Sequence, residues 1–149
     1  MDANVLLQFK DLGVAGSLAF AAMGSALGAG AAGMAAVGSW KKCFAQNKNA
    51  PFILTVFVGA PLSQTIYGMI VMNAFVELAN KGQFMSGAGI LSGIAMGMSA
   101  WMQGKAGAAA ADAMAETGKG FGNYLIVLGI IETVALFVMV FILMAAGKL

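Results

Sequence analysis

The sequence predicts an all-α transmembrane protein: four helices arranged as two duplicated helical hairpins. Three observations predict it. Of 149 residues, 60% are hydrophobic and 9% charged, whereas a soluble domain carries roughly 25% charged residues. Uncharged stretches recur at lengths that suit a bilayer. Those stretches alternate in composition, small then bulky, twice over.

The first span is Leu12–Trp40, the second Asn49–Val76 and the third Gly82–Gly104, all free of charge. The fourth, Gly120–Gly147, is broken only by Glu132. A bilayer core of about 30 Å needs about 20 helical residues, so each stretch is long enough to cross once. Hairpin one is expected at about 11–80 and hairpin two at about 83–148, making residues 1–149 a single membrane domain. The opening Met1-Asp2-Ala3-Asn4 lacks the basic n-region of a signal peptide, so no leader is expected.

Gly and Ala supply 17 of 29 residues in Leu12–Trp40 but only 5 of 29 in Pro51–Ala79. The contrast repeats in the second hairpin, with 17 of 34 in Gly82–Ala115 against 7 of 28 in Gly120–Gly147. Small residues also recur every fourth position, as Gly24, Gly28, Ala32, Ala36 and as Gly89, Gly93, Gly97. Such ridges let helix backbones approach closely in lipid. Packing span one on span three within one chain explains a few of these positions. Two spans small on most faces are expected to line something more crowded, such as the inside of a ring.

The charges set a topology. Lys41, Lys42 and Lys48 lie between spans one and two, and Lys119 between spans three and four. Asp2, Lys10, Asp11, Glu77, Lys81 and Lys148 roughly cancel on the other side. Positive-inside counting then places both connecting loops in the cytoplasm and both termini outside, with Trp40 as an interface anchor. The net charge of +2 and the absence of Arg exclude a nucleic-acid partner. Without His, and with Cys43 alone, zinc centres, catalytic triads and internal disulfides are excluded too. Cys43 is expected to be an inert thiol in a loop. Gly104-Lys105 and Gly118-Lys119 lack the Ser or Thr of a phosphate loop, so the chain has no nucleotide site.

Glu132 is the most informative residue. A charge near mid-membrane costs roughly 2.5–3.5 kcal/mol on insertion scales, and such groups are seldom kept for packing. Gln103 and Glu132 are each about 14 residues from the turn near Thr117–Gly118, which puts them at one depth on antiparallel helices. The second span adds Pro61-Leu62-Ser63-Gln64. Pro61 has no N–H to give, which frees the Phe57 carbonyl and loosens that turn, leaving carbonyls such as that of Ala60 free to turn. The expected site therefore joins the Glu132 carboxylate, the Gln64 and Gln103 amides, the Ser63 hydroxyl and a main-chain carbonyl. Oxygen donors suit a hard cation, and two amides with a hydroxyl around one carboxylate favour Na⁺ over H⁺. Lys105, two residues beyond Gln103, is expected to point away from Glu132.

With these residues in place, the chain resembles the membrane rotor-ring subunit (proteolipid) of V-type and A-type rotary ATPases, closest to the sodium-translocating bacterial branch. The resemblance rests on Gly24-Ser-Ala-Leu-Gly-Ala-Gly30, Pro61-Leu-Ser-Gln-Thr-Ile-Tyr-Gly68, Gln103-Gly-Lys105 and Ile131-Glu-Thr133, in order over four spans. It implies that Glu132 is the ion-binding acid of a ring of identical subunits. It also implies Na⁺ ligands at Ser63, Gln64, Gln103 and the Ala60 carbonyl, with Tyr67 hydrogen-bonded to the carboxylate. Ser63 stands where that pattern more often has Thr, and Ala60 where it has a larger apolar residue. Leu62 falls roughly where Glu132 sits in the other hairpin, implying one ion per subunit. The implied partners are a stator membrane subunit with an Arg, central-stalk subunits at the cytoplasmic loops, and lipid. The competing expectations are the same rotor carrying H⁺, a small proton-coupled exporter, and a passive scaffold that would not need Glu132.

Overall fold

Five α-helices and one 3-10 turn are the elements of a computed structural model that describes residues 3–147, with side chains from Leu12 onward. They are α1 (Ala3–Ala45), α2 (Leu54–Gly59), the 3-10 turn Ala60–Leu62, α3 (Ser63–Asn80), α4 (Ser86–Thr117) and α5 (Phe121–Ala145). No strand occurs among the described residues. Asp2 and Lys148, counted above in the charge balance, lie outside the described residues, as do the side chains of Lys10 and Asp11.

Three helical stretches are long and apolar enough to cross a membrane: Leu12–Ala45, Leu54–Asn80 and Phe121–Ala145. Four helical stretches stand where four spans are expected, and α4 is the one that falls below the other three in hydropathy. That helix is long, at 32 residues, but it is built from Gly, Ala and Ser and carries Lys105, Asp112 and Glu116. Its neighbours supply the apolar cover instead, since α4 packs against α1, α3 and α5. By contrast α5 leaves Ile126, Ile130, Val134, Phe137 and Phe141 exposed. It is a helix dressed for lipid.

The small-residue ridges meet each other. Helices α1 and α4 run in the same direction, with Gly13 opposite Ser86, Gly24 opposite Gly97 and Gly28 opposite Gly104. A Cβ on Gly24 would fall on the Gly97 carbonyl, and one on Gly104 would fall on the backbone of Gly28. These ridge positions therefore serve the chain's own packing. Gly30, Gly38 and Gly87, where a Cβ would meet open space, are not needed for it.

Two apolar clusters bracket the middle of the molecule. One joins Ala21, Val71, Phe75, Leu78, Met96 and Ala135. The other joins Ala36, Leu54, Phe57, Ala110, Ala111 and Leu128 near the loop end. Between them lies a layer of polar side chains. Gly118 and Gly120, with φ of 67° and 87°, turn the chain tightly from α4 into α5. Such left-handed backbone suits Gly, and this turn sets the register of the two helices that carry Gln103 and Glu132.

Trp40 donates its indole N–H to the Pro51 carbonyl at 2.8 Å, clamping the first loop onto the end of α1. Cys43 is not in a loop. It is a free, buried thiol in the last turn of α1, because that helix runs five residues beyond Trp40.

Candidate functional site

The local backbone comes first. Pro61 interrupts the ladder between α2 and α3, and the chain responds with the 3-10 turn Ala60–Leu62. Helix α4 passes this turn at Gly107, where a Cβ would stand 2.9 Å from the Phe57 carbonyl oxygen. The Ala60 carbonyl accepts a hydrogen bond from the Ser63 hydroxyl at 3.2 Å. Leu62, aligned with Glu132 in the first hairpin, is exposed.

From Ser63 the side chains form a directed chain. The Ser63 hydroxyl, with one proton to give, also lies 3.1 Å from Gln64 Oε1, an alternative acceptor to the Ala60 carbonyl. Gln64 Nε2 donates to Gln103 Oε1 at 2.8 Å. Gln103 Nε2 donates to Glu132 Oε2 at 3.2 Å and to the Leu128 carbonyl at 3.1 Å. The other carboxylate oxygen, Glu132 Oε1, accepts from Tyr67 Oη at 2.7 Å. Ala60, Ser63, Gln64, Gln103, Glu132 and Tyr67 thus form one connected network from three helices and the proline turn. Gln64 and Gln103 are fully buried, while Glu132 is only half-buried.

The geometry also fixes how the amides face. Gln103 meets two acceptors, the Leu128 carbonyl and the carboxylate, so its N–H₂ belongs there and its oxygen turns to Gln64. Each side chain of the network then has a partner, as burial in an apolar layer demands. Glu132 lies near the middle of α5, at Phe121–Ala145. Its oxygens are held by two donors on one side, and its partly exposed flank faces outward.

Lys105 points away from this network. Its ammonium lies 5.4 Å from the centre of the Trp101 ring one turn back on α4, and no ion pair joins it to Glu132 among the described residues. The described ion pair is Lys42 with Asp112 at 3.2 Å, at the loop end.

Residues 86–145 match the family model for the C-subunit of ATP synthase. No curated protein matches the chain. The matched stretch is α4 with α5, and it contains both Gln103 and Glu132. The likeness is confined to the second hairpin, and residues before 86 lie outside the match.

One neighbour of the site is not apparent from the sequence. Ser99 donates from α4 to the Ile131 carbonyl on α5 at 2.8 Å. A signal for it exists: Ser99 lies one helical turn before Gln103, on the face that carries the amide.

Proposed function

We propose that this chain is a rotor-ring subunit of a V-type ATPase that binds Na⁺ at Glu132 and carries it across the membrane during ATP-driven rotation. The observation that carries the reading is the grip on one mid-helix carboxylate by Tyr67 and Gln103, with Gln64 donating to Gln103 behind it and Ser63 bonded to the Ala60 carbonyl. The family match over α4 and α5 supports the rotor role. Identical copies form the ring, a stator subunit supplies an Arg, and central-stalk subunits meet the cytoplasmic loops.

Charge compensation makes rotation feasible. A bare carboxylate facing lipid is expensive, and one neutralised by Na⁺ or a proton is far less so. Ion loading therefore permits Glu132 to move past lipid, and a stator Arg competing for the carboxylate releases the ion. Moving one charge against 100 mV requires about 2.3 kcal/mol. With no nucleotide site of its own, the ring passes on work done elsewhere.

The same rotor carrying H⁺ is the second reading, favoured by one observation. Gln103 turns its N–H₂ to the carboxylate and its oxygen to Gln64, an arrangement that serves a carboxyl group without a cation. For Na⁺, the Gln103 amide must turn its oxygen toward the ion. Dicyclohexylcarbodiimide, which modifies protonated carboxyl groups, separates the two. Sodium at millimolar concentration and neutral pH is expected to protect Glu132 from labelling, and Glu132→Gln to abolish both labelling and ATP-driven transport. Labelling unaffected by sodium would turn the assignment to H⁺. A dimer in mild-detergent mass spectrometry, in place of a large detergent-resistant oligomer, would end the rotor reading.

A further inference from the structure

Hydroxyl groups in this protein mostly serve their own helix. Ser17, Thr55, Ser63, Ser92 and Thr133 bond the carbonyl three residues back, and Thr117 the one four residues back. That is the ordinary outlet for a Ser or Thr within a helix. Ser39, which reaches the Asp112 side chain on α4 at 3.5 Å, and Ser25, buried and without a partner among the described residues, depart from it, and so does Ser99. Its hydroxyl crosses to the main chain of α5 and donates to the Ile131 carbonyl at 2.8 Å, although carbonyls of its own helix lie as close to hand as they do for Ser92.

The acceptor has no need of it. Within an α-helix, the Ile131 carbonyl takes the N–H of Ala135, and Ala135 is fully buried in a regular stretch of α5. The second donor therefore adds position rather than satisfying an orphan. Gln103, one turn along α4, does the same to the Leu128 carbonyl. Two side chains four residues apart on α4 grip two carbonyls three residues apart on α5, and Glu132 follows directly after the second of these, Ile131. Gln103 also touches the carboxylate itself; Ser99 touches only the backbone. Ser99 is 6% exposed and sits on the side of Gln103 away from the turn that joins the two helices.

We infer that Ser99 is a positioning residue for the ion site: its bond to the Ile131 carbonyl fixes the rotation and depth of α5 against α4, and so sets where the Glu132 carboxylate meets Gln103 and Tyr67. The inference rests on the reading of Glu132 as the ion-carrying acid. Without the bond, α5 keeps its apolar packing but turns more freely about its axis, and the carboxylate spends less time within reach of its donors.

The test compares Ser99→Ala, Ser99→Thr and Ser92→Ala in the assembled protein. Ser92 is a matched control, buried on the same helix but bonded locally to the Gly89 carbonyl. Carbodiimide labelling of Glu132 is followed against sodium concentration, and its rate is also measured without sodium. Ser99→Ala is expected to raise the sodium concentration for half-protection about three- to tenfold, as loss of one interhelical hydrogen bond does. Ser99→Thr is expected to restore it and Ser92→Ala to leave it unchanged, with oligomer yield the same in all three. If sodium fails to protect even the parent protein, the sodium reading falls. The positioning role is then judged by the sodium-free rate, which must change in Ser99→Ala and recover in Ser99→Thr. If Ser99→Ala behaves as Ser92→Ala in both measurements, or Ser99→Thr fails to rescue, the inference is overturned.

Discussion

Helix α4 meets its two main neighbours by opposite means. Against α1 it presents glycines, and backbone lies on backbone from Gly13–Ser86 to Gly28–Gly104. Against α5 it presents Ser99 and Gln103, whose polar atoms reach two carbonyls and a carboxylate. The first seam is held by close contact and dispersion, which have one good geometry and no adjustable part. The second is held by hydrogen bonds among side chains that rotate. The lesson is mechanical: a stiff pair, α1 with α4, serves as the frame against which a softer helix carries the acid.

The sharpest way to break the comparison is to place a side chain in the stiff seam. Gly24→Leu drives its Cβ onto the Gly97 carbonyl, where neither backbone has a flexible end to move. The expected cost exceeds ~3 kcal/mol, the upper range for overpacking, seen as loss of folded protein after detergent extraction. Gly30→Ala on the same helix meets open space within the chain and should fold normally, with a gain in helix preference of at most ~1 kcal/mol. If Gly30→Ala folds but its oligomer falls apart, Gly30 faces another copy. That outcome would divide the small residues between the two kinds of packing.

A smaller effect belongs to the soft seam. Gln103→Leu keeps the bulk but removes the middle of the network, stranding the buried Gln64 Nε2 and freeing one oxygen of Glu132. An unsatisfied buried donor costs about 1–3 kcal/mol, so the chain should still fold. Ion binding should suffer more than stability, by about two orders of magnitude in the sodium concentration that protects Glu132. Equal losses in both would mean that Gln103 holds the helices together and does little for the ion.

These two seams also differ in how far they are legible in the sequence. The residues of the polar network are legible because polar groups are rare and costly in an apolar span, so Ser63, Gln64, Gln103 and Glu132 stand out by chemistry alone. Counting residues from the turn at Gly118 is enough to pair Gln103 with Glu132, because helical rise is constant. Which way an amide faces is not legible. That depends on the Leu128 carbonyl, a main-chain group that every sequence carries. Ser99 is hidden for a related reason, since a serine among Gly and Ala looks like one more small residue until its acceptor is known. The glycine rows are legible as contact surfaces but not as to what they touch, because a ridge without side chains fits its own chain and a second copy alike. The end of α1 differs from expectation because charge at Lys41 and Lys42 marks where lipid stops, not where a helix must.

The smallest effect is expected where the α1–α4 pair leaves the apolar layer. There the seam ends in the Lys42–Asp112 ion pair, with side chains 71% and 57% exposed, and Ser39 Oγ lies 3.5 Å from the same Asp112 oxygen. An exposed pair contributes about 0.2–1 kcal/mol, because water screens the attraction and two long side chains lose freedom. Burial of glycine against glycine further along has already fixed the helices, so the pair adds to an arrangement that does not depend on it. Lys42→Ala should therefore lower the thermal midpoint by no more than about 4 °C, and raising ionic strength should erase even that difference, since the Debye length falls to about 3 Å at 1 M salt. A larger shift that survives salt would mean that the loop end is covered in the working assembly. The stiff seam would then extend through a partner's surface rather than end in water.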